Sequence, residues 1–337
     1  MALDVIVNIS EMSTTGAVGF GIPLVIVSKS AKAVPYTECT ELSEVEKLFG
    51  AETEIYNIAK LIWGQKNKSK SIAFYASTND AETAVNEVIH NDWRQLIVVF
   101  GEDDTKTAAD VSEYIETTND KMYFVTVSEM NELTTLGDKE RTVAFYYDLK
   151  DSNGKLVAPN AVAAIVGESA GRDAGSFTYK NLIISGLAPL EITENQLNGI
   201  HEAGAITLLR KAGDVVTSEG KNTQGDYIDI VDSKDWIIKQ IGYQSQKLLN
   251  ASEKLPYTNQ GIAALENVTK NVLQEAYNNG MIATGDDDAT ALYNVNFKSR
   301  SEMSEADRKN RIYSGGNFDF TLAGAIHTAH INGELVI

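Results

Sequence analysis

Gln95-Leu-Ile-Val-Val-Phe100 sets five apolar residues in succession, two of them β-branched valines beside an isoleucine. A run of that length suits a strand buried on both faces, because a strand on a half-wet sheet alternates apolar with polar. Helical segments flank it, over 80–90 before and 105–117 after. The same rhythm continues outward. Strands are expected over 22–27, 72–76, 122–127 and 141–147. Thr40 is an expected N-cap for a helix over 41–49 that Gly50 stops, and Ile55, Ile58, Ala59, Ile62 and Trp63 recur at helical spacing. Short apolar strands alternating with amphipathic helices imply βαβ units and a largely parallel sheet. Asp151-Ser-Asn-Gly154 reads as a turn and an expected boundary.

Beyond that turn the texture changes. Residues 160–166 form a small-residue helix, Thr193 caps a helix to about 203, and strands are expected over 205–210 and 226–231. Asp232 is an expected cap for a long helix through 249, and 258–278 is the longest helical stretch, stopped by Gly280. Strands over 293–297, 318–322, 325–331 and 334–337 follow, with Asn332-Gly333 as a two-residue hairpin turn. Helices followed by a run of strands make this half α+β. At the other end, Asp4-Val-Ile-Val-Asn-Ile9 also reads as a strand. Apolar strands at chain ends carry unpaired backbone groups, which pair within their own domain or with a neighbouring chain. The residues concerned are Val5, Ile6, Val7 and Ile9, and Ile331, Leu335, Val336 and Ile337.

The 337 residues are 43% hydrophobic and 23% charged, and the length suggests two domains with sizeable cores. The formal net charge of −18 argues against binding nucleic acid, which needs clustered Lys and Arg, and against docking on anionic membrane. Cys39 is the single cysteine, so no internal disulfide requires an oxidising compartment. No signal-peptide pattern opens the chain, and no apolar run approaches the ~20 residues of a membrane span. The expectation is a chain made in the cytoplasm.

Gly167-Glu-Ser-Ala-Gly171 matches the G-x-S-x-G pattern of a nucleophile elbow. That device needs a tight turn from a strand into a helix, yet a helix precedes this stretch and Arg172-Asp-Ala-Gly175 is a poor helix start. His201 and His330 lie downstream with nothing to mark either as a base. His327 and His330, three apart on a strand, would face opposite sides and could not share a metal ion. Asp286-Asp-Asp288 lacks the glycine and terminal Glu of a calcium loop and reads as a solvated acidic turn. Gly16, Gly19 and Gly21 are not the dinucleotide fingerprint, since a strand follows where a helix must open. The acidic neighbours Glu38 and Glu41 are expected to raise the Cys39 thiol pKa. No cofactor or metal is implied.

Charge is unevenly spread. Between Gly101 and Glu140 eleven acidic residues face three lysines, an expected solvated outer surface. Lys298, Arg300, Arg308, Lys309 and Arg311 gather nearer the C-terminus among Glu302, Glu305 and Asp307. They form either an exposed mixed-charge helix or a docking surface for an acidic partner.

Four segments together resemble the tail sheath proteins of contractile bacteriophages. They are the N-terminal strand leading into Gly19-Phe-Gly-Ile-Pro-Leu-Val-Ile-Val27, and Ala161-Val-Ala-Ala-Ile-Val-Gly-Glu-Ser-Ala-Gly-Arg-Asp-Ala-Gly175. The others are Gly186-Leu-Ala-Pro-Leu-Glu-Ile-Thr-Glu-Asn-Gln-Leu197 with Gly204-Ala-Ile-Thr-Leu208, and Arg311 followed by Phe318-Asp-Phe-Thr-Leu-Ala-Gly-Ala-Ile-His327. The resemblance covers both ends and most of 160–337 and is weakest over 71–147. It rests on the order of the segments rather than on any one motif. It implies a non-enzymatic subunit, stacked as rings around a tail tube, whose terminal arms complete a small sheet in neighbouring copies. It further implies an N-terminal arm (1–20), an α/β outer domain (21–150), an α+β inner assembly domain (151–317), and closing strands with an arm (318–337). The implied partners are the chain itself, a tail tube protein touched by Arg308, Lys309 and Arg311, and baseplate and tail terminator proteins. The implied place is the virion tail, assembled in the bacterial host cytoplasm. The competing readings are an α/β hydrolase using Ser169, or another self-assembling virion protein.

Overall fold

From β1 (Ile22–Val27) the chain turns into β2 (Val34–Cys39), then α1 (Leu42–Phe49) and α2 (Glu54–Trp63). Strands and helices then alternate as the apolar runs predict: β3 (Ile72–Ala76), α3 (Ala81–Glu87), β4 (Trp93–Val99), α4 (Ala108–Glu116), β5 (Met122–Val127), α5 (Met130–Leu136) and β6 (Thr142–Tyr146). After α6 (Ala163–Ser169) and α7 (Glu194–Glu202), β7 (Ala205–Ile206) rejoins the sheet. The computed structural model describes residues 20–287 and 289–329. The expected strands at 4–9 and 334–337, the Asn332-Gly333 turn and His330 lie outside those residues.

The main sheet has seven strands in the order β2-β3-β1-β4-β5-β6-β7, all parallel except β2. Leu24 of β1 stands level with Ala73 of β3 on one side and Leu96 of β4 on the other. One face of the sheet packs Val25, Ile97, Phe124 and Phe145 with Ile58, Ile62 and Ile165. The other packs Leu24, Ile26, Leu96 and Val98 with Val85, Val111, Ile115 and Leu133. Burying each such side chain stabilises by roughly 1.5–3 kcal/mol, which makes this sheet the rigid body of the molecule. Helix starts follow side-chain caps. Asp80 accepts from the Thr83 N–H at 2.9 Å, and Thr107 and Thr193 form capping boxes with Asp110 and Gln196.

The hairpin β8 (Leu208–Lys211) and β9 (Asp214–Thr217) leads to α8 (Ile228–Ala251), α9 (Asn259–Asn278), β10 (Tyr293–Phe297), α10 (Glu305–Asn310) and β11 (Gly316–Phe320). β10 and β11 form an antiparallel pair with Val295 opposite Phe318. A third core joins them to the two long helices through Trp236, Ile237, Val272 and Leu273.

Several expectations are corrected. Residues 226–231 are no strand, because α8 begins at Ile228. Asp232 is no cap: it lies inside α8, buried. Residues 325–329 are not strand. β2, α5 and β9 were not anticipated. Past residue 150 the chain returns to the main sheet, where β7 pairs parallel with β6.

Candidate functional site

The serine of the elbow-like pattern is enclosed. Ser169 ends α6, is 3% exposed, accepts from Gln95 Nε2 at 2.9 Å and donates to the Val166 carbonyl at 3.3 Å. The two glycines of that pattern serve close packing. A Cβ on Gly167 would lie 2.5 Å from the Ile62 carbonyl oxygen, and one on Gly171 would lie 2.2 Å from that of Asn67. No histidine among the described residues bonds to Ser169: His201 pairs with Ser218 at 2.9 Å and His327 with Thr178 at 3.0 Å. Asp287 accepts from Thr290 and Ala289 within its own turn, and the Thr290 bonds hold its carboxyl down at about 2. Burial, and then Glu44 rather than Glu38 or Glu41, pushes the Cys39 thiol up to about 11.

Open α/β sheets bind ligands at the carboxyl ends of strands where the winding reverses. In this sheet that point lies between β1 and β4. Backbone fills it: the Ser28 N–H donates to the Val99 carbonyl at 3.1 Å, and a Cβ on Gly101 would meet the Ser28 carbonyl oxygen at 2.6 Å.

Chemistry concentrates at the opposite end, where α8 crosses the amino ends of β4, β5 and β6. Arg94 pairs through Nη1 with Asp235 and through Nη2 with Asp232, both at 2.6 Å. Arg141 grips Asp235 with two bonds, at 2.8 and 3.2 Å. Tyr179 donates its hydroxyl to Asp232 at 2.8 Å. Lys121 donates to the Trp93 carbonyl at 2.6 Å and lies 4.6 Å above the Trp93 ring, while Lys239 stands 3.6 Å from Asp92. Residues 232, 235 and 239 share one face of α8 by helical spacing. Burial opposes every charge here. It is outweighed at Arg94, raised by Asp235 and Asp232, and at Asp235, lowered by Arg94 and Arg141. At Lys121 burial wins over Asp120 and brings the ammonium down to about 8. Asp120 and Lys121 therefore do not belong to the solvated outer surface expected over 101–140.

The small sheet is the second feature. Tyr293, Val295, Phe318 and Phe320 face the helices, whereas Asn294, Asn296, Asn317 and Asp319 face solvent. Among the described residues no third strand runs along the outer edge of β10 or β11. The basic segment lies in the connection between them. Arg308 donates to the Arg300 carbonyl at 3.0 Å, Lys309 is exposed in α10, and Arg311 caps that helix at φ 60°.

Residues 228–335 match the family described as E217 tail sheath protein gp31-like, C-terminal domain. A chain of the anti-feeding prophage baseplate, solved by six-fold symmetrised cryo-EM, superposes with a TM-score of 0.73 at 11% identity, covering 100% of both chains. The helical sheath of the anti-feeding prophage in its contracted state gives 0.69 at 13% identity over 98% of each chain. This chain has a contractile tail sheath fold. The crystal structure of a sheath tail protein from Desulfitobacterium hafniense gives 0.57 at 10% identity, over 87% of this chain and 93% of that one. No curated protein matches the chain in sequence.

Within the sheath fold the charged seam joins two parts. Asp232, Asp235 and Lys239 lie inside the family-matched segment, and Arg94, Lys121 and Arg141 lie outside it. Sequence reading gave none of the six this role, and took Asp232 for a helix cap. The available signal was an acid–acid–base series at 232, 235 and 239 within a helical stretch, with arginines at the starts of two strands.

Proposed function

We propose that this chain is a structural tail sheath subunit that polymerises as stacked rings around a tail tube and contracts to drive the tube through a cell envelope. The observation that carries the reading is the β10–β11 sheet, backed by α8 and α9 and, among the described residues, bordered by no third strand. An exposed strand edge is a template for a strand from another chain. Val5, Ile6, Val7 and Ile9 at one end, and Ile331, Leu335, Val336 and Ile337 at the other, are the strands assigned to neighbouring copies. The role is mechanical rather than enzymatic, and the backbone-filled crevice between β1 and β4 supports it. The further partners are a tail tube protein met by Arg308, Lys309 and Arg311, and baseplate and tail terminator proteins. The protein's place is the tail of a phage or phage-like particle, assembled in the bacterial cytoplasm, with the acidic 101–140 region outermost.

Electron microscopy of purified protein tests the reading. Tubes or stacked rings are expected from the full chain, and folded subunits without long assemblies after deletion of residues 1–9 or 330–337. Full-length tubes from either truncation would remove the arms from assembly. Changing Arg308, Lys309 and Arg311 together to Glu is expected to weaken co-sedimentation with the cognate tube. Salt-independent, unchanged co-sedimentation would remove the tube contact.

A further inference from the structure

The first described part of the chain reaches the charged seam at Arg94, and the last reaches Thr178, next in sequence to the seam's Tyr179. On the N-terminal side the Phe20 ring lies 4.8 Å from the Arg94 guanidinium and packs against the core of α8 and α9. Gly21 follows at φ +101°, so close to β4 that a Cβ would lie 2.6 Å from the Arg94 nitrogen. Only glycine fits there, on both counts. On the C-terminal side the chain leaves β11, stays paired with 281–283 as far as Ala323, and then reaches His327. Its Nε2 meets Thr178 Oγ1 at 3.0 Å, its ring stands edge-on to Tyr227 with centroids 4.8 Å apart, and its Nδ1 is 3.9 Å from Glu219.

Thr178 and Tyr179 are adjacent and face these two anchors in turn. Tyr179 donates to Asp232 at 2.8 Å, and the other oxygen of Asp232 holds Arg94 at 2.6 Å. A continuous path therefore runs from Phe20 through Arg94, Asp232, Tyr179 and Thr178 to His327. Burial and the Asp232 charge raise the Tyr179 pKa well above its ordinary value, so its hydroxyl stays a donor. Apart from the exposed-side ring contacts the path is enclosed: Arg94, Tyr179 and Asp232 are all buried. Buried ion pairs often stabilise no more than apolar residues of the same volume, and their best-attested use is fixing one arrangement among several.

We propose that this path is a brace that fixes the exits of the N-terminal and C-terminal segments relative to each other. Resting on the sheath reading, it would keep the two arms of a subunit at one mutual geometry while subunits rotate during contraction.

Hydrogen exchange on the isolated full-length subunit tests it. His327→Ala should speed exchange at the Ile22 amide, at the far end of the path, by about two- to tenfold relative to the β5 amides. Tyr179→Phe keeps the ring and removes the central hydrogen bond. In that background His327→Ala should no longer alter Ile22. An Ile22 effect no larger than that at β5 would overturn the brace, and so would an unchanged effect in the Tyr179→Phe background. The measurement does not depend on tubes: failure to form tubes would count against the sheath reading and leave the brace standing.

Discussion

In the large sheet β4 is buried at all seven positions, and both sheet edges are blunted. β2 carries Pro35 and a register break between Val34 and Thr37, and β7 is two residues long. In the small sheet β10 and β11 are each five residues, regular in register, free of proline, and turn asparagines and Asp319 to solvent. A short or proline-broken edge discourages a further strand, whereas a regular open edge invites one. The contrast separates a body with blunted edges from a small sheet that no further strand among the described residues borders. The charged seam is what ties the second to the first.

The strongest way to break that tie is Asp235→Ala, which leaves Arg94 and Arg141 buried without their shared carboxylate. A loss of about 3–5 kcal/mol is expected in denaturant unfolding, since removing one member of a buried pair strands the other charge. A loss below ~1 kcal/mol would mean that the seam is not what holds α8 to the sheet.

A pH series sharpens the same point. Lys121 sits at about 8 in the fold against an ordinary 10.5. Below pH 8 it is charged in both states, and its burial penalty is fully present. Between pH 8 and 10.5 the unfolded chain holds a proton that the fold has released, so stability rises with pH. The rise reaches about 3 kcal/mol across the window. Lys239, also lowered by burial, acts in the same direction. Wild type minus Lys121→Met should show this slope, with a pH-independent offset for the lost bonds to Asn91 and Trp93. A flat difference would refute it.

Beside the large sheet, Gly171→Ala is expected to destabilise by about 1–3 kcal/mol through overpacking against the backbone of Asn67 and Lys68, in the turn after α2. Ser169→Ala should lose only ~1 kcal/mol, for the bond from Gln95. Thermal unfolding of the pair checks the order, and the reverse order would restore significance to the serine. The smallest effect belongs to the small sheet. Asn294→Asp would face Asp319 across the strands, where Asn294 now donates at 2.9 Å. Less than ~1 kcal/mol should be lost in unfolding, while long assemblies weaken. Equal assembly by both proteins would show that this face tolerates charge.

The parallel sheet was legible because β-strands buried on both faces must be apolar throughout, as 96–100 is. The cap at Thr193 was legible for an equally local reason, as it satisfies backbone N–H groups within its own first turn, whereas α1 starts without a side-chain cap from Thr40. α8 was misread at its start because the face it buries carries Asp232, Asp235 and Lys239. Hydrophobic periodicity scores such residues as solvent-facing. Their partners lie roughly 90 to 140 positions earlier in sequence, at Arg94 and Arg141. The sequence alone therefore determined which segments are strands in the main sheet, where most helices start, and that the serine pattern lacks an elbow. Only the tertiary structure decided that charges could be buried along α8, that the crevice between β1 and β4 is closed by backbone, and that no third strand among the described residues borders β10 or β11. Those outcomes depend on groups distant in sequence meeting in space, and a buried charge is tolerable only where its partner arrives.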